Sequence, residues 1–330
     1  MTVTIKDIAK KTNVSYATVS RALNAKYGVR QETRNKVLAA ARAMGYTPNG
    51  IARGLVKKQT FSIGLIIPDI TNPFFPAVAR GIEDQAKKFG YSVFLCNTNY
   101  EKQSEANHIS LLAEKRVDGI IIAPTSNDSE DLSRRGDSSI PVVYITKRLS
   151  TNSHSFVVMD DERGGFLATK HLIEQGYKTI GFIGPSTSGR GEDERLVGFR
   201  AAFEKFGLNV QSRFVRVDVV KRETGHETII SMIEAGDYPR AVFAGNDLMA
   251  IGIIQGIKEK GLSVPDDIAV VGFDNISFAA FPEVQLTTIH QPKYKMGKMA
   301  ADILLEKIEG RTDQPRRIIL EPELIVRSSS

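Results

Sequence analysis

A series of short, continuous apolar runs separated by helical stretches constrains the fold of this chain more than any other feature. The runs are not interrupted by polar residues, which is typical of strands buried on both faces. They lie at 63–67, 93–95, 119–123, 142–145, 179–183, 241–244 and 268–272. Helical patterns lie near 73–90, 101–115, 163–176, 191–207, 223–236, 246–261 and 293–309. Because such strands alternate with helices, we predict an α/β fold with parallel, doubly wound sheets.

The number of runs indicates two sheets rather than one. A sheet usually holds about four to six strands, so we predict one sheet within about 61–159 and another within about 162–289. Two short strand patterns, 317–320 and 324–327, follow the last helix and are expected to return to both sheets. The predicted body, 61–330, therefore has two lobes joined by a hinge of several crossovers. Its N-lobe is about 61–160 plus 291–320, and its C-lobe is about 161–290 plus 321–330.

Basic charge is concentrated before the body. Residues 1–60 hold 12 Lys and Arg against 2 Asp and Glu, whereas the remaining residues hold 32 against 36. A small basic unit on a slightly acidic body indicates a polyanionic partner for the basic unit alone. An ordinary solvated basic surface is the alternative, and charge by itself does not choose between the two.

The first 46 residues have the pattern of three short helices, which we call the head. Thr4 and Asp7 match a capping box, and Ser15 is placed to cap the second helix. The helices begin at residue 5, run over 16–24, and run from about 31 to 44. A tight turn between the first two helices is typical of a helix-turn-helix unit.

The exposed side of the second helix suits base recognition. At 3.6 residues per turn, an arc of about 140° collects Tyr16, Ala17, Ser20, Arg21 and Asn24. An arginine can donate two hydrogen bonds to a guanine edge, while a tyrosine and an alanine suit other base edges. The side chains suited to phosphate are those of Thr4, Ser20, Asn24 and Thr33. A three-helix bundle that binds another protein remains an alternative.

The stretch 47–56 between head and body is a marginal helix. Ile51, Ala52 and Leu55 have helical spacing, but Gly50 and Gly54 each cost about 1 kcal/mol relative to Ala. A flexible linker is the simpler interpretation. We favour a segment that becomes helical only on DNA, because it joins a head that is expected to bind DNA to a body with a predicted hinge.

The carboxyl ends of the predicted strands are expected to line a cleft between the lobes, where open α/β sheets bind ligands. The candidate effector-binding residues at these ends are Phe74, Phe75, Thr146, Lys147, Arg195, Val220, Asn246 and Asp274. This mixture suits a small polar ligand with an apolar face, such as a sugar ring. Two of them have structural alternatives: Phe75 suits the core, and Arg195 can pair with Glu192 or Glu194. The neighbouring Asp247 is expected to cap the helix that follows rather than to touch the ligand.

The head and linker resemble the LacI/GalR family of transcription regulators. The motifs are at 4–9, 14–24 and 45–49, and the match runs from Thr2 to Val56. The resemblance implies that Tyr16, Ala17 and Arg21 read bases. It also implies that the linker is a hinge helix, with Ala52 and Leu55 in the minor groove and Leu55 wedged at the centre of a palindrome.

The body carries motifs of the same family at 69–75, 116–119, 195–199, 246–250, 272–275 and 286–292. They imply a periplasmic-binding-protein-like effector domain and a ligand role for Phe74, Arg195, Asn246 and Asp274. Two positions depart from the family pattern. Thr146, followed by Lys147, stands where many relatives have Asp, and Val220 stands where some have an aromatic residue. These changes predict an effector with negative charge, a sugar acid or sugar phosphate.

The predicted function is sequence-specific regulation of transcription, most simply as a repressor. A homodimer is expected on a palindromic double-stranded DNA operator, under the control of a carbohydrate-type effector. The expected DNA contacts are Thr4, Ser15, Tyr16, Ala17, Ser20, Arg21, Asn24, Thr33, Ala52 and Leu55. A sugar-binding transport protein would leave the head unexplained. An enzyme is disfavoured, because the chain has no phosphate loop, dinucleotide fingerprint or nucleophile elbow.

No cofactor, metal or membrane partner is expected. Cys96 is the single cysteine, and the five His lack metal-ligand spacing. No apolar run approaches the about 20 residues that cross a membrane, and the start lacks the pattern of a signal peptide. A cytoplasmic location is the expectation. No leucine heptads follow the last strand pattern, so a dimer is expected rather than a tetramer.

Overall fold

The computed structural model describes residues 3–23, 27–46, 59–125, 140–147, 154–185 and 192–330. It divides into two compact units, 1–60 and 61–330, which are considered separately below. The predicted hinge helix, with Ala52 and Leu55, lies outside the described residues, and so does Asn24.

The described part of the head consists of three helices. They are α1 (Ile5–Thr12), α2 (Tyr16–Leu23) and α3 (Gln31–Ala43). Thr4 and Asp7 form the expected capping box, and Asn13 ends α1 in the left-handed conformation at φ 52°. Ile8, Val19 and Val37, one from each helix, are fully buried together. This small core fixes α2 against the other two helices and leaves its opposite side in solvent.

The body alternates strands and helices. Its strands are β1 (Ser62–Ile67), β2 (Ser92–Asn97), β3 (Gly119–Ile122), β4 (Val142–Ile145), β5 (Ser155–Met159), β6 (Ile180–Pro185), β7 (Val215–Asp218), β8 (Ala241–Ala244), β9 (Ala269–Asp274), β10 (Thr287–His290), β11 (Arg317–Leu320) and β12 (Glu323–Ile325). Its helices are α4 (Phe74–Lys88), α5 (Lys102–Glu114), α6 (Asp161–Glu174), α7 (Glu194–Lys205), α8 (Arg222–Glu234), α9 (Asp247–Glu259) and α10 (Lys293–Ile308). Short 3₁₀ helices lie at Ser212–Phe214 and Ser277–Ala280.

The described strands form two six-stranded sheets. The N-lobe sheet has the order β11-β5-β4-β3-β1-β2, and the C-lobe sheet has the order β12-β10-β9-β8-β6-β7. Neighbouring strands are parallel, except that β12 runs antiparallel to β10. The chain passes between lobes after β5, after β10 and after β11. The predicted α/β fold of two doubly wound sheets is confirmed, with one antiparallel edge strand added.

Apolar residues cover both faces of the central strands, as the uninterrupted runs require. All six residues of β1 are buried. In the N-lobe, α4 and α10 cover one face of the sheet, and a cluster around Leu112 and Tyr144 covers the other. Two further clusters cover the C-lobe sheet.

One predicted buried strand is not buried. The run 93–95 forms the edge strand β2, where Phe94 is 51% and Leu95 is 43% exposed. The expectation of two covered faces was wrong here because β2 ends the sheet and packing reaches it mainly from one side. An apolar run indicates a propensity to form a strand, whereas the burial of that strand depends on its position in the sheet.

Three pairs of the described helices cross through glycines. The pairs are α4 with α10 at Gly81 and Gly297, α6 with α7 at Gly165 and Gly198, and α8 with α9 at Gly225 and Gly252. A Cβ on Gly198 would lie 1.9 Å from the carbonyl oxygen of Glu162. The backbones of the two helices in each pair are therefore in direct contact at these points, near the helix starts that border the cleft.

Candidate functional site

A cavity of about 340 Å³ lies between the carboxyl ends of the two sheets. The eight candidate effector residues all line it. Phe74, Phe75, Thr146 and Lys147 come from the N-lobe, and Arg195, Val220, Asn246 and Asp274 come from the C-lobe. They meet because each lies at or after the carboxyl end of a strand, and these ends of both sheets face the same cleft.

The N-lobe wall is mainly apolar. Phe74 and Phe75 begin α4, and their rings lie edge to face with centroids 5.1 Å apart. Asn72 fixes this start, because its Oδ1 accepts a hydrogen bond of 3.0 Å from the Phe74 amide. Both rings are also part of the buried core. Phe75 therefore has the predicted core role and still borders the cavity.

Lys147 brings a positive charge to this wall. It follows Thr146, which has the left-handed φ of 67°. Its Nζ donates to the Thr125 carbonyl oxygen at 2.9 Å, its single hydrogen bond to the described residues. Burial lowers the pKa of Lys147, and the Asp193 carboxylate opposes that shift. An ammonium group has three N–H donors, so two donors of Lys147 have no partner among the described residues and are available to a ligand.

The C-lobe wall is built on an ion pair between α6 and α7. Arg195 Nε and Nη2 each lie 3.2 Å from Asp161 Oδ2, and Nη1 donates to the Gly245 carbonyl oxygen. The guanidinium also stacks 4.6 Å from the centre of the Phe273 ring. Burial alone would lower the pKa of Arg195, but nearby carboxylates raise it overall. Two of its five N–H donors have no partner among the described residues.

Arg195 forms its ion pair with Asp161, a partner that was not among the structural alternatives named from the sequence, Glu192 and Glu194. Glu192 binds Arg200 instead, at 3.1 Å. Asp161 is the first residue of α6 and lies beside the start of α7 because the two helices cross closely. The sequence carried no local signal for this pair, since its members are 34 residues apart.

Asp274 and Asn246 supply polar groups on the same wall. Burial raises the pKa of Asp274 from 3.8 to about 6, against the lowering effect of Arg195 and Lys293. Asn246 caps α9, because its Oδ1 accepts the Met249 amide at 2.8 Å. Asp247 was the residue expected to cap this helix. It is instead fully buried and accepts hydrogen bonds from the Thr288 hydroxyl and the Ile276 amide.

Sequence reasoning missed other residues that line the cavity, among them Asn72, Tyr100, Thr125, Asp161, Asp193 and Gln291. Tyr100 is the least expected of these residues, because it and the preceding Asn99 both have a left-handed backbone, with φ 61° and 52°. Burial raises the pKa of its phenol to about 12. The position of Tyr100 after β2 could have identified it, because the carboxyl ends of parallel strands line the cleft.

In the head, the exposed side of α2 presents Tyr16, Ala17 and Arg21 to solvent. Tyr16 is 57% exposed. Ser15 accepts a 3.2 Å hydrogen bond from the Thr18 amide, and Thr4 is tied to Asp7, so both act as helix caps. Ser20 and Thr33 are half-buried. One side of α2 therefore presents a positively charged group, Arg21, and two other exposed side chains, Tyr16 and Ala17, next to the capping hydroxyls of Thr4 and Ser15.

The described residues contain neither a metal-binding cluster nor a membrane-spanning helix. No group of three or more His, Cys, Asp or Glu side chains there is arranged to hold a metal ion. No helix among them combines the length and apolar character required to cross a membrane.

Comparison with known families decides the identity. Residues 60–327 match the model described as periplasmic binding proteins and sugar binding domain of LacI family, and residues 4–49 match bacterial regulatory proteins, lacI family. The chain belongs to the LacI family. The two matches fall on the two units that the structure separates.

Several relatives of this LacI-family protein are named HTH-type transcriptional repressor PurR. Those of Pasteurella multocida and Mannheimia succiniciproducens are 38% and 36% identical to it, each over 329 residues that make up 99% of this chain and 98% of the relative. Among solved structures, a lac repressor bound to ONPG in the repressed state has a TM-score of 0.89 at 27% identity and covers 100% of both chains. A LacI-family regulator of Enterococcus faecium with bound ribose has a TM-score of 0.74 at 29% identity, over 82% of this chain and 98% of the other.

This LacI-family protein is thus a DNA-binding transcriptional repressor and not an enzyme. A lac repressor dimer bound to operator and the anti-inducer ONPF has a TM-score of 0.87 at 28% identity, over 100% of this chain and 99% of the other.

Proposed function

We propose that this repressor binds a carbohydrate-type effector with a negative group, a sugar acid or sugar phosphate, in the cavity between its lobes. The domain boundaries we propose are a helix-turn-helix head at 1–46, a hinge helix and linker at 47–60, and the two-lobed body at 61–330. A cytoplasmic location is part of the proposal, because the operator is there. The expected DNA and effector contacts remain those predicted above.

The contrast between the two walls supports a carbohydrate. Phe74 and Phe75 offer an apolar surface for the carbon face of a sugar ring. Arg195, Asn246 and Asp274 offer donors and acceptors for hydroxyl groups on the opposite side. Apolar surface on one side and placed polar groups on the other would fix the orientation of such a ligand.

Lys147 is the observation that supports the negative group. Lys147 and Arg195 are the basic residues among the described lining, and Arg195 is already neutralised by Asp161 at 3.2 Å. Lys147 makes no ion pair within 4 Å to a described carboxylate. A half-buried ammonium with no described carboxylate within 4 Å gains from a charge-assisted hydrogen bond to an anionic ligand.

The effector class is tested by replacing Lys147. We expect D-gluconate or D-glucose 6-phosphate to raise the melting temperature of the wild type, and D-glucose to raise it less. In Lys147→Met the affinity for the acid should fall by at least about tenfold, because a hydrogen bond to a charged group contributes about 1.5–3 kcal/mol. Isothermal titration calorimetry measures the change.

Lys115→Met, at an exposed lysine after α5, is the matched control and should bind like the wild type. Tight binding of a neutral sugar with no binding of its acid would overturn the proposed charge of the effector. Equal affinities for the Lys147 and Lys115 variants would remove Lys147 from the site.

DNA contacts are tested through Arg21. A palindrome selected by the wild type from random DNA should bind Arg21→Ala about 10- to 100-fold more weakly, since a lost base contact costs about 1–3 kcal/mol. Arg42→Ala removes an equal charge from the end of α3 and should change the affinity only a few-fold. A gel shift on the palindrome and on unrelated DNA distinguishes base reading from general attraction. If both variants lost affinity equally on both DNAs, Arg21 would be a phosphate contact.

A further inference from the structure

The crossover from β10 to α10 holds the loop that carries Asp274. Gln291 lies in this crossover, is only 4% exposed, and donates from Nε2 to Asp274 Oδ1 at 2.6 Å. Lys293 is the first residue of α10, and its Nζ donates to the backbone carbonyl oxygens of Asp274, Asn275 and Gln291, the last two at 2.8 and 3.3 Å. We call Gln291 and Lys293 the clasp. It joins the start of an N-lobe helix to a C-lobe loop.

The loop held by the clasp has an unusual backbone. Asp274 has φ 112° and Asn275 has φ 51°, both in the region that favours glycine. Such residues cost about 1–3 kcal/mol each and persist only where their surroundings hold them. Here Arg327 donates to Asn275 Oδ1 at 2.8 Å, and the Asn275 amide donates to the Thr288 hydroxyl at 3.3 Å. The clasp adds hydrogen bonds to the carbonyl groups of the same two residues.

The other end of the clasp leads to the opposite wall. Lys293 begins α10, which crosses α4 through Gly81 and Gly297, where a Cβ on Gly297 would lie 2.1 Å from the Val78 carbonyl oxygen. Backbone contact this close allows little sliding between the two helices. Because α4 begins with Phe74, the clasp links the Asp274 side of the cavity to the Phe74 side through packed backbone.

We infer that Gln291 and Lys293 are positioning residues that couple an effector at Asp274 to the angle between the lobes, and through that angle to operator affinity. A ligand that hydrogen-bonds Asp274 changes the position of a group to which the crossover is directly bound. A ligand shifts an equilibrium between two conformations only by its difference in affinity for them. Because the clasp ties the position of Asp274 to the angle between the lobes, the affinity of a ligand that binds Asp274 would differ between two such angles. The inference rests on the proposed effector site.

The test uses the full-length protein without any ligand, because a clasp that holds the angle between the lobes would also act before an effector binds. Lys293→Met removes the three hydrogen bonds and keeps most of the side-chain volume. Gln291→Leu removes the contact to the Asp274 carboxylate. Lys293→Arg retains the charge and the donors, and Lys295→Met is the matched control at an exposed lysine two residues away. Hydrogen exchange is followed over 270–280 and 286–296, and operator affinity is measured on the selected palindrome.

We expect Lys293→Met and Gln291→Leu to increase exchange at least tenfold in these two segments and to shift operator affinity at least fivefold. Lys293→Arg should restore most of both properties, and Lys295→Met should change neither. Faster exchange with unchanged operator affinity would overturn the coupling, since the clasp would then be a local contact alone. If Lys293→Met does not fold, Gln291→Leu decides by the same criteria. Failure of the wild type to select a palindrome would instead count against the proposed DNA contacts.

Discussion

Gly198→Ala should destabilise the body by about 2–4 kcal/mol, although alanine is the better helix former. In an open helix the same change would add about 1 kcal/mol of stability. Here the new Cβ would lie 1.9 Å from the Glu162 carbonyl oxygen and 2.6 Å from the Phe166 amide nitrogen. Both are backbone atoms, so α6 and α7 must separate, and overpacking of this kind costs several kcal/mol. Urea unfolding measures the change.

The sign of the change is the critical result, because helix propensity and packing predict opposite signs. Glu204→Ala, at an exposed position of the same helix, should alter stability by less than about 0.5 kcal/mol. A stabilised Gly198→Ala would mean that the helices do not cross as closely as described. Since Arg195 and Asp161 lie next to the crossing, the affinity for the effector should fall together with stability.

Arg195→Met should be equally severe and should act through charge. Removing one member of a buried ion pair leaves the other charge without compensation and costs about 3–5 kcal/mol. The Asp161 side chain is only 14% exposed, and Asp274 lies nearby with a pKa already raised by burial. The stacking on Phe273 would be largely retained by methionine, so the loss reports on charge rather than volume. Urea unfolding and calorimetry with the effector measure both consequences.

The double variant Asp161→Asn with Arg195→Met separates the two effects. It removes both charges, so stability should recover by about 1–3 kcal/mol relative to Arg195→Met alone, while effector binding remains lost. Wild-type stability of Arg195→Met would mean that the Asp161 charge does not depend on Arg195 for compensation. If it still bound the effector normally, Arg195 would support the wall without touching the ligand.

Much of this fold follows from local patterns. Two-sided apolar strands, helix periodicity and the rule of strand ends together predicted the two sheets and a set of residues that the structure gathers around one cavity. The rule works because it depends on topology rather than on exact packing. For the same reason Phe74 and Asp274, more than 190 positions apart in the sequence, could be assigned to one cleft.

What could not be predicted depends on contacts between distant segments. The partner of Arg195 is Asp161 because two glycines let α6 and α7 cross closely. Asp247 is buried rather than capping because Thr288 and Ile276 reach it from other strands and loops. Phe94 is exposed because β2 ends its sheet. Each depends on a neighbour that no local window contains.

Because the chain passes between the lobes three times, its last two strands complete both sheets, and neither sheet can be finished early in synthesis. The edge of the N-lobe sheet is closed by β11, which pairs Arg317 with Phe156, and that of the C-lobe sheet by β12, which pairs Ile325 with Thr288. Neither sheet has all its strands until these residues have left the ribosome. A chain interrupted before residue 317 would therefore lack the last strand of both lobes, and long-range pairing of this kind is slow to form. Such fragments would carry the helices of the head on a body in which neither sheet is complete.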